Sequence, residues 1–562
     1  MSGFPDVGSL IIEAEALKAE ANELLKAARY PQAADRYTQA ISKLLGQPDS
    51  ETPPEVRGPL AILLSNRSQA LIKIESYGTA IADADEAIAQ DPSYIKAYFR
   101  RGSANYALSK FKLAKADFNN VLKRMPGDAA ATKLFKECDK RLKEEQFVAA
   151  MGYGDPVEDE SNQLNQIASI PLDLSKYDGP VLPHDAEGKP VVSMDFVKEC
   201  IEHLKAQKLL HRKFVCELLV AARSMFKALP SLLRVPLPAL PDGSGTGTVT
   251  VCGDTHGQYY DLLNIFEIGG FPSEINPYLF NGDFVDRGSF SFENVMTLIL
   301  VKLACPAALH MTRGNHETKN MNKLYGFEGE VLHKYDQLTM NLFTQVFQQL
   351  PLATVIQDAV FVVHGGLSTE GNLTLENVSR IPRGTEPPEQ GLMSDLLWAD
   401  PQPLPGRAPS KRGVGWAFGP DYTTSFLERN GLQLLVRSHE VKDEGYVEEH
   451  NGKCITIFSA PNYWYVPSSL LSVFVFVFSG FLRRPWSKHI LLPPLPCFLC
   501  LSNPASPTIF PLSPSPSSDQ MGNKGAFIRF SADMVPRFTK FDAVPHPPVA
   551  PMRYANNAMF GF

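Results

Sequence analysis

Six short β-rich runs in this chain each end in a loop of side chains able to hold a cation or move a proton. TVTVC (248–252) runs into Gly253, Asp254, Thr255, His256 and Gly257, and PYLF (277–280) into Asn281, Gly282, Asp283, Phe284, Val285, Asp286, Arg287 and Gly288. LHMT (309–312) leads to Arg313, Gly314, Asn315, His316 and Glu317, and VFVV (360–363) to His364, Gly365 and Gly366. LQLLV (432–436) ends at Arg437, Ser438, His439 and Glu440, and CITIF (454–458) at Ser459, Ala460, Pro461, Asn462 and Tyr463. Oxygen and imidazole ligands without a thiolate suit borderline cations such as Mn, Fe or Zn. Two such ions, roughly 3.5–4 Å apart and sharing a bridging carboxylate, suit in-line attack on phosphorus.

Loops at strand ends hold side chains without interrupting a ladder, so these runs must belong to a sheet whose strands end together. Strands and helices alternate from about residue 191 to 463, and FIRF (527–530) resumes the pattern. The 562 residues suffice for several domains; a net charge of −7 and pI near 6.0 exclude the basic face of a nucleic-acid binder. Eight scattered Cys and an N-terminus without a basic, then apolar, leader predict a reducing intracellular compartment.

Residues 10–150 have another texture, rich in Ala, Lys, Glu and Leu at helical spacing. Tyr77, Ala80, Ile88 and Pro92 recur 34 residues on as Phe111, Ala114, Leu122 and Pro126. Tyr30, Ala33 and Ile41 precede them, offset by a Pro-rich insertion. The period resembles the tetratricopeptide repeat: three helix-turn-helix units with a concave face, closed by a longer helix. Residues 151–190, with Gly, Pro and Asp but no periodicity, read as a linker to a domain spanning 191–562.

The series GDxHG, GDxVDRG, GNHE, HGG, RxHE and SAPNY, with LLWADP (396–401) and RGVGWAFG (412–419), resembles the phosphoprotein phosphatase family of serine/threonine phosphatases. The expected fold is therefore multidomain: an all-α repeat solenoid followed by an α/β metallophosphatase domain with a central β-sandwich. The resemblance implies that Asp254, His256 and Asp283 hold one metal, and that Asp283, Asn315, His364 and His439 hold the second. It implies Mn2+ in vitro, with Fe and Zn as alternatives, and attack on phosphorus by water activated at the metal pair. Arg287 and Arg412 would clamp the phosphoryl oxygens, since a guanidinium fork matches them bidentately. Asn315, Tyr463 and His439 would lie at the substrate, and His316, oriented by Asp286, would protonate the leaving Ser or Thr oxygen. A nuclease or small-molecule diesterase sharing only the metal motifs is the alternative enzyme.

Lys18 and Asn22 share a helical face, as do Lys96 and Arg100, and Asn66 precedes Arg100 by one repeat. By resemblance these five form a clamp for the acidic C-terminal tail of heat-shock protein 90. The family also implies that the repeats cover the active site, with Glu75 engaging the catalytic groove, and that a fatty acid or the chaperone releases them. Phosphoprotein substrates, and residence in cytoplasm and nucleus, follow from the same resemblance.

Residues 464–518 match neither texture. In the resembled family a Cys and then DQMGNKG follow the tyrosine; here DQMGNKG stands at 519–525. Codons for Trp464–Val466 permit a splice donor and those ending at Ser518 an acceptor, which predicts a retained intron or alternative exon. Residues 464–482 are uncharged and apolar, near the roughly 20 residues a membrane span needs. Two readings stay open: attachment to the endoplasmic-reticulum or nuclear-envelope membrane, and an exposed loop. The insert begins beside Tyr463, so a catalytically impaired, chaperone-bound scaffold is the alternative function.

Overall fold

The computed structural model describes residues 7–45, 52–150, 160–243, 245–369, 372–463, 522–549 and 553–555. Three helix pairs open it: α1 (Val7–Lys26) with α2 (Tyr30–Leu45), α3 (Pro54–Lys73) with α4 (Tyr77–Gln90), and α5 (Ile95–Ala107) with α6 (Phe111–Arg124); α7 (Ala129–Ala150) closes the series. The aromatics of the 34-residue period, Tyr30, Tyr77 and Phe111, each begin the second helix of a pair and are buried. Ala33, Ala80 and Ala114 lie one turn on, fully buried, where any larger side chain would hold the paired helices apart.

The stretch expected to be a linker departs from that reading. Helix α8 (Glu160–Ala168) lies within it, and Ile167, Ile170 and Leu182 are buried in one core with Phe196, Val215 and Leu219. Gln163 and Ile167 sit one turn apart on the buried face, and Arg223 donates to Gln163 at 3.1 Å while pairing with Glu160. Apolar burial is the cause: a polar sequence with one apolar edge is enough to dock. Residues from Glu160 onward therefore pack with the helices that precede the sheets.

Among the described residues the strands that follow are β1 (Leu232–Val235), β2 (Val249–Cys252), β3 (Tyr278–Asn281), β4 (Leu309–Thr312), β5 (Ala353–Ile356), β6 (Val360–Val363) and β7 (Asp400–Pro401). Then come β8 (Arg407–Pro409), β9 (Trp416–Phe418), β10 (Leu434–Arg437), β11 (Tyr446–Glu449), β12 (Cys454–Ile457), β13 (Gly525–Phe530) and β14 (Arg537–Phe541). One sheet has the order β1-β5-β6-β10-β12-β11, a second β14-β13-β2-β3-β4, and a small third β7-β9-β8. Alternate residues of the two large sheets, among them Val249, Val251, Val360, Val362, Ile455, Ile457 and Ile528, form one apolar layer between them. This period-two burial makes a sandwich, and its other faces pack on helices. Because β2, β3 and β4 run parallel, as do β6, β10 and β12, all six motif loops leave at one rim.

Residues 464–518 lie outside the described residues, but their flanks do not. The Asn462 amide donates to the Asn523 carbonyl at 2.7 Å and the Tyr463 amide to Asn523 Oδ1 at 2.8 Å. The chain thus leaves and re-enters at one place, and β13 pairs antiparallel with β2. Among the described residues no helix is long and apolar enough to cross a membrane.

Candidate active site

The strand-end loops bring the expected ligands together around Asp283. One cluster of buried groups is His256, Asp283 and His316; the other is Asp283, His364 and His439; in each the ligand atoms lie within 4.8 Å of one another. Asp254 joins the first, its Oδ2 3.8 Å from His256 Nε2. Asn315 joins the second: its amide terminus lies 2.9 Å from both His364 Nε2 and His439 Nδ1 and 3.2 Å from Asp283 Oδ2.

The backbone fixes which ring nitrogens face inward. His256 Nδ1–H donates to the Val285 carbonyl at 3.1 Å and His364 Nδ1–H to the Asn281 carbonyl at 2.8 Å, leaving each Nε2 as an acceptor aimed at the cluster. Two imidazole acceptors therefore point into a cluster of buried carboxyl groups, an arrangement a cation satisfies. Burial raises Asp254 to about 8, with Asp283 adding repulsion, and raises Asp283 to about 7. Burial also lowers His256 to about 3, and it depresses His364 and His439, keeping the imidazoles neutral as ligands must be. The donor set fits two cations sharing Asp283.

His256, Asp283, Asp286, Arg287 and His439 all have positive φ. Non-glycine residues held there carry strain, and such strain gathers at functional sites. Gly314 explains its place in the GNHE loop: a Cβ there would lie 2.2 Å from Asp283 Oδ1, so only glycine lets the Asp283 carboxylate approach.

Around the ligands stand the groups expected to act on substrate. His316 Nδ1–H donates to Asp286 Oδ2 at 2.8 Å, which leaves Nε2 facing the clusters. Asp286 is itself held by Asn322 Nδ2 at 3.1 Å and by the Phe327 amide at 2.9 Å. Arg412 Nε donates to Asp400 Oδ2 at 2.7 Å and its Nη2 to the His439 carbonyl at 2.8 Å. Tyr463 stands beside His256, ring centroids 5.1 Å apart.

Residues 247–443 match the family described as calcineurin-like phosphoesterase, and residues 135–234 match the PPP5 TPR repeat region. Over 99% of its length the chain is 42% identical to serine/threonine-protein phosphatase 5 of Homo sapiens, of which it covers 95%. The chain belongs to the serine/threonine-protein phosphatase 5 family. With the same identity it also matches the Solanum lycopersicum phosphatase 5 over 99% of both chains. A solved Saccharomyces cerevisiae protein serine/threonine phosphatase with similarity to human PP5 superposes with TM-score 0.52 at 35% identity, covering 64% of this chain and 100% of that one. As a phosphatase 5 family member the chain is a protein-serine/threonine phosphatase.

The repeats of this family member lie across its metal site. Glu75, in the turn between α3 and α4, pairs with Arg287, and the hydroxyls of Tyr77 and Tyr325 hydrogen-bond. The amides of Gly78 and Thr79 donate to the Lys411 carbonyl at 2.9 and 3.3 Å, and Lys110 Nζ donates to the Gly413 carbonyl at 3.2 Å. The contact needs two glycines: a Cβ on Gly78 would lie 2.6 Å from the Gly413 amide nitrogen. Met321, Leu324, Tyr325 and Ala555 share one apolar cluster with the repeat helices.

In the repeat groove Asn22 and Arg100 are brought together through Tyr37, whose hydroxyl donates to Asn22 Oδ1 at 2.6 Å and whose phenolic oxygen lies in the field of Arg100. Arg100 also donates to Gln69 Oε1 at 2.8 Å. Lys18 pairs with Glu15 at 2.5 Å, Asn66 is half-buried and Lys96 exposed. Lys73, absent from the expected set, lies beside Arg100; burial and that cation lower it to about 8. Its signal was in the sequence: Lys73 follows Asn66 by seven residues, two turns along α3. Asp400, Asn322 and Tyr325 were also missed, for they meet the site only through tertiary packing.

Proposed function

We propose that the chain hydrolyses phosphoserine and phosphothreonine in proteins at a dinuclear centre held by Asp254, His256, Asp283, Asn315, His364 and His439. The observation that carries this is Asp283, shared by two buried clusters whose other ligands come from different sheets. When bound, the two cations supply phosphoryl charge neutralisation and lower the pKa of water at neutral pH. Arg287 and Arg412 orient the phosphoryl group, while Asn315, His439 and Tyr463 wall its pocket. Asp286, accepting from Nδ1–H, holds His316 so that the ring, when doubly protonated, gives its Nε2 proton to the departing alkoxide. Mn2+ is the expected metal in vitro, with Fe or Zn as native alternatives. Cleavage of a phosphothreonine peptide that rises with Mn2+ and is lost in Asp283→Asn supports this reading; equal activity in that variant overturns it.

The repeats serve as inhibitor and as docking face. Glu75 occupies the guanidinium that a phosphoryl group would use, and the Lys18–Asn22–Asn66–Lys96–Arg100 groove, extended by Lys73, is cationic as a carboxylate-rich chaperone tail requires. A fatty acid or the tail of heat-shock protein 90 would free the site by displacing this contact. Tyr463 beside His256, with β13 on β2, favours an active enzyme over the scaffold reading.

A further inference from the structure

Asn281 is the last residue of β3, fully buried, two residues before the bridging Asp283. Its side chain crosses the seam between the two large sheets. Nδ2 donates to the Val363 carbonyl at 2.8 Å and to Ser438 Oγ at 2.9 Å, both on the six-stranded sheet side, at the ends of β6 and β10. Oδ1 accepts from Thr312 Oγ1 at 2.8 Å, at the end of β4 in its own sheet. Its carbonyl accepts from His364 Nδ1–H at 2.8 Å. Every hydrogen-bonding atom of the amide group is thus committed, and each partner adjoins a ligand: Val363 precedes His364, Ser438 precedes His439, and Thr312 stands three residues before Asn315.

The two metal positions differ in how they use this seam. Asp254, His256 and Asp283 all follow strands of the five-stranded sheet, whereas Asp283 and Asn315 face His364 and His439 across the gap. We propose that Asn281 is the positioning residue for the second metal, fixing the separation between its two half-sets of ligands and the tautomer of His364. A buried amide is well suited to this position, because it donates to one sheet and accepts from the other, and leaving those partners unmet is costly. The first site, built within one sheet, does not depend on it.

This rests on the dinuclear reading, and the test separates the two. Mn2+ binding to the full, metal-stripped chain is measured by calorimetry, with electron paramagnetic resonance reporting magnetic coupling between paired ions. The unaltered chain takes two Mn2+. Asn281→Leu, alike in branching but without hydrogen bonds, weakens one equivalent by about 10- to 100-fold, the range for outer partners of metal ligands, and loses the coupled signal while the other equivalent is kept. Retention of that other equivalent shows that the variant is folded. Thr312→Val weakens the same equivalent and Thr312→Ser, which keeps the donor, restores it. Two unchanged equivalents in Asn281→Leu, or parallel loss of both in every variant, overturns the proposal. An unaltered chain that binds fewer than two Mn2+ overturns the dinuclear reading and this proposal with it.

Discussion

The carboxylate of Glu75 lies against the guanidinium of Arg287, joining the turn of the second repeat to the loop that carries Asp283. Arg287 also stacks on Tyr325, its guanidinium carbon 3.8 Å from the ring centroid, and both partners of the pair are largely shielded from water. The carboxylate therefore competes with a phosphoryl group for one buried cation. Glu75→Gln keeps the size but not the charge. Basal turnover of a phosphothreonine peptide should rise about 5- to 150-fold, the span of typical coupling between sites. Unchanged turnover would show that the pair is not what closes the site.

His316 is predicted to act on the leaving group. His316→Gln should lower kcat for a phosphothreonine peptide by roughly 10²–10⁴, with KM little moved. The loss should be much smaller with p-nitrophenyl phosphate, whose phenolate departs without a proton. Asp286→Asn should follow the same pattern more weakly. Equal losses on both substrates would place His316 among the metal ligands instead, consistent with its presence in the first cluster.

The repeat groove should bind an acidic peptide in a pH-dependent way. Lys73 is lowered to about 8 by burial and then by Arg100, so in the free groove it loses its charge as pH rises through that value. Peptide carboxylates raise it again, so binding takes up a proton above about pH 8. Affinity should be flat up to pH 7 and fall roughly tenfold by pH 9, one pKa unit being a factor of ten. Lys73→Arg should flatten the profile, and Lys96→Glu should abolish binding of an EEVD-ending peptide. Fluorescence anisotropy across this range decides the matter, and a flat profile in the unaltered chain would remove Lys73 from the clamp.

The candidate ligands were legible in the sequence because each follows a short apolar run directly: the motif and the strand that places it are contiguous, as with Leu309–Thr312 before Asn315. The repeats were legible because Tyr77 and Phe111 recur with the period of a packing unit. Contacts between distant segments were not. Nothing local ties Tyr77 to Tyr325, Arg412 to Asp400 or Asn281 to Ser438, and these arise only when two sheets and a solenoid close on one another. Strands β1 and β5, four residues each, are too short for periodicity to separate from helix. Helix α8 was missed because its polar residues hide a single buried edge at Gln163 and Ile167.

Central to the proposed function is a complete phosphatase site beside the point where residues 464–518 are inserted. The direct measurement is Mn2+-dependent hydrolysis of a phosphothreonine peptide by the Glu75→Gln chain, beside the same chain with 464–518 replaced by one Cys. With Tyr463 anchored to Asn523 and β13 docked on β2, the two should turn over alike. Activity confined to the shortened chain would contradict an intact site and leave peptide binding as the function of the longer one.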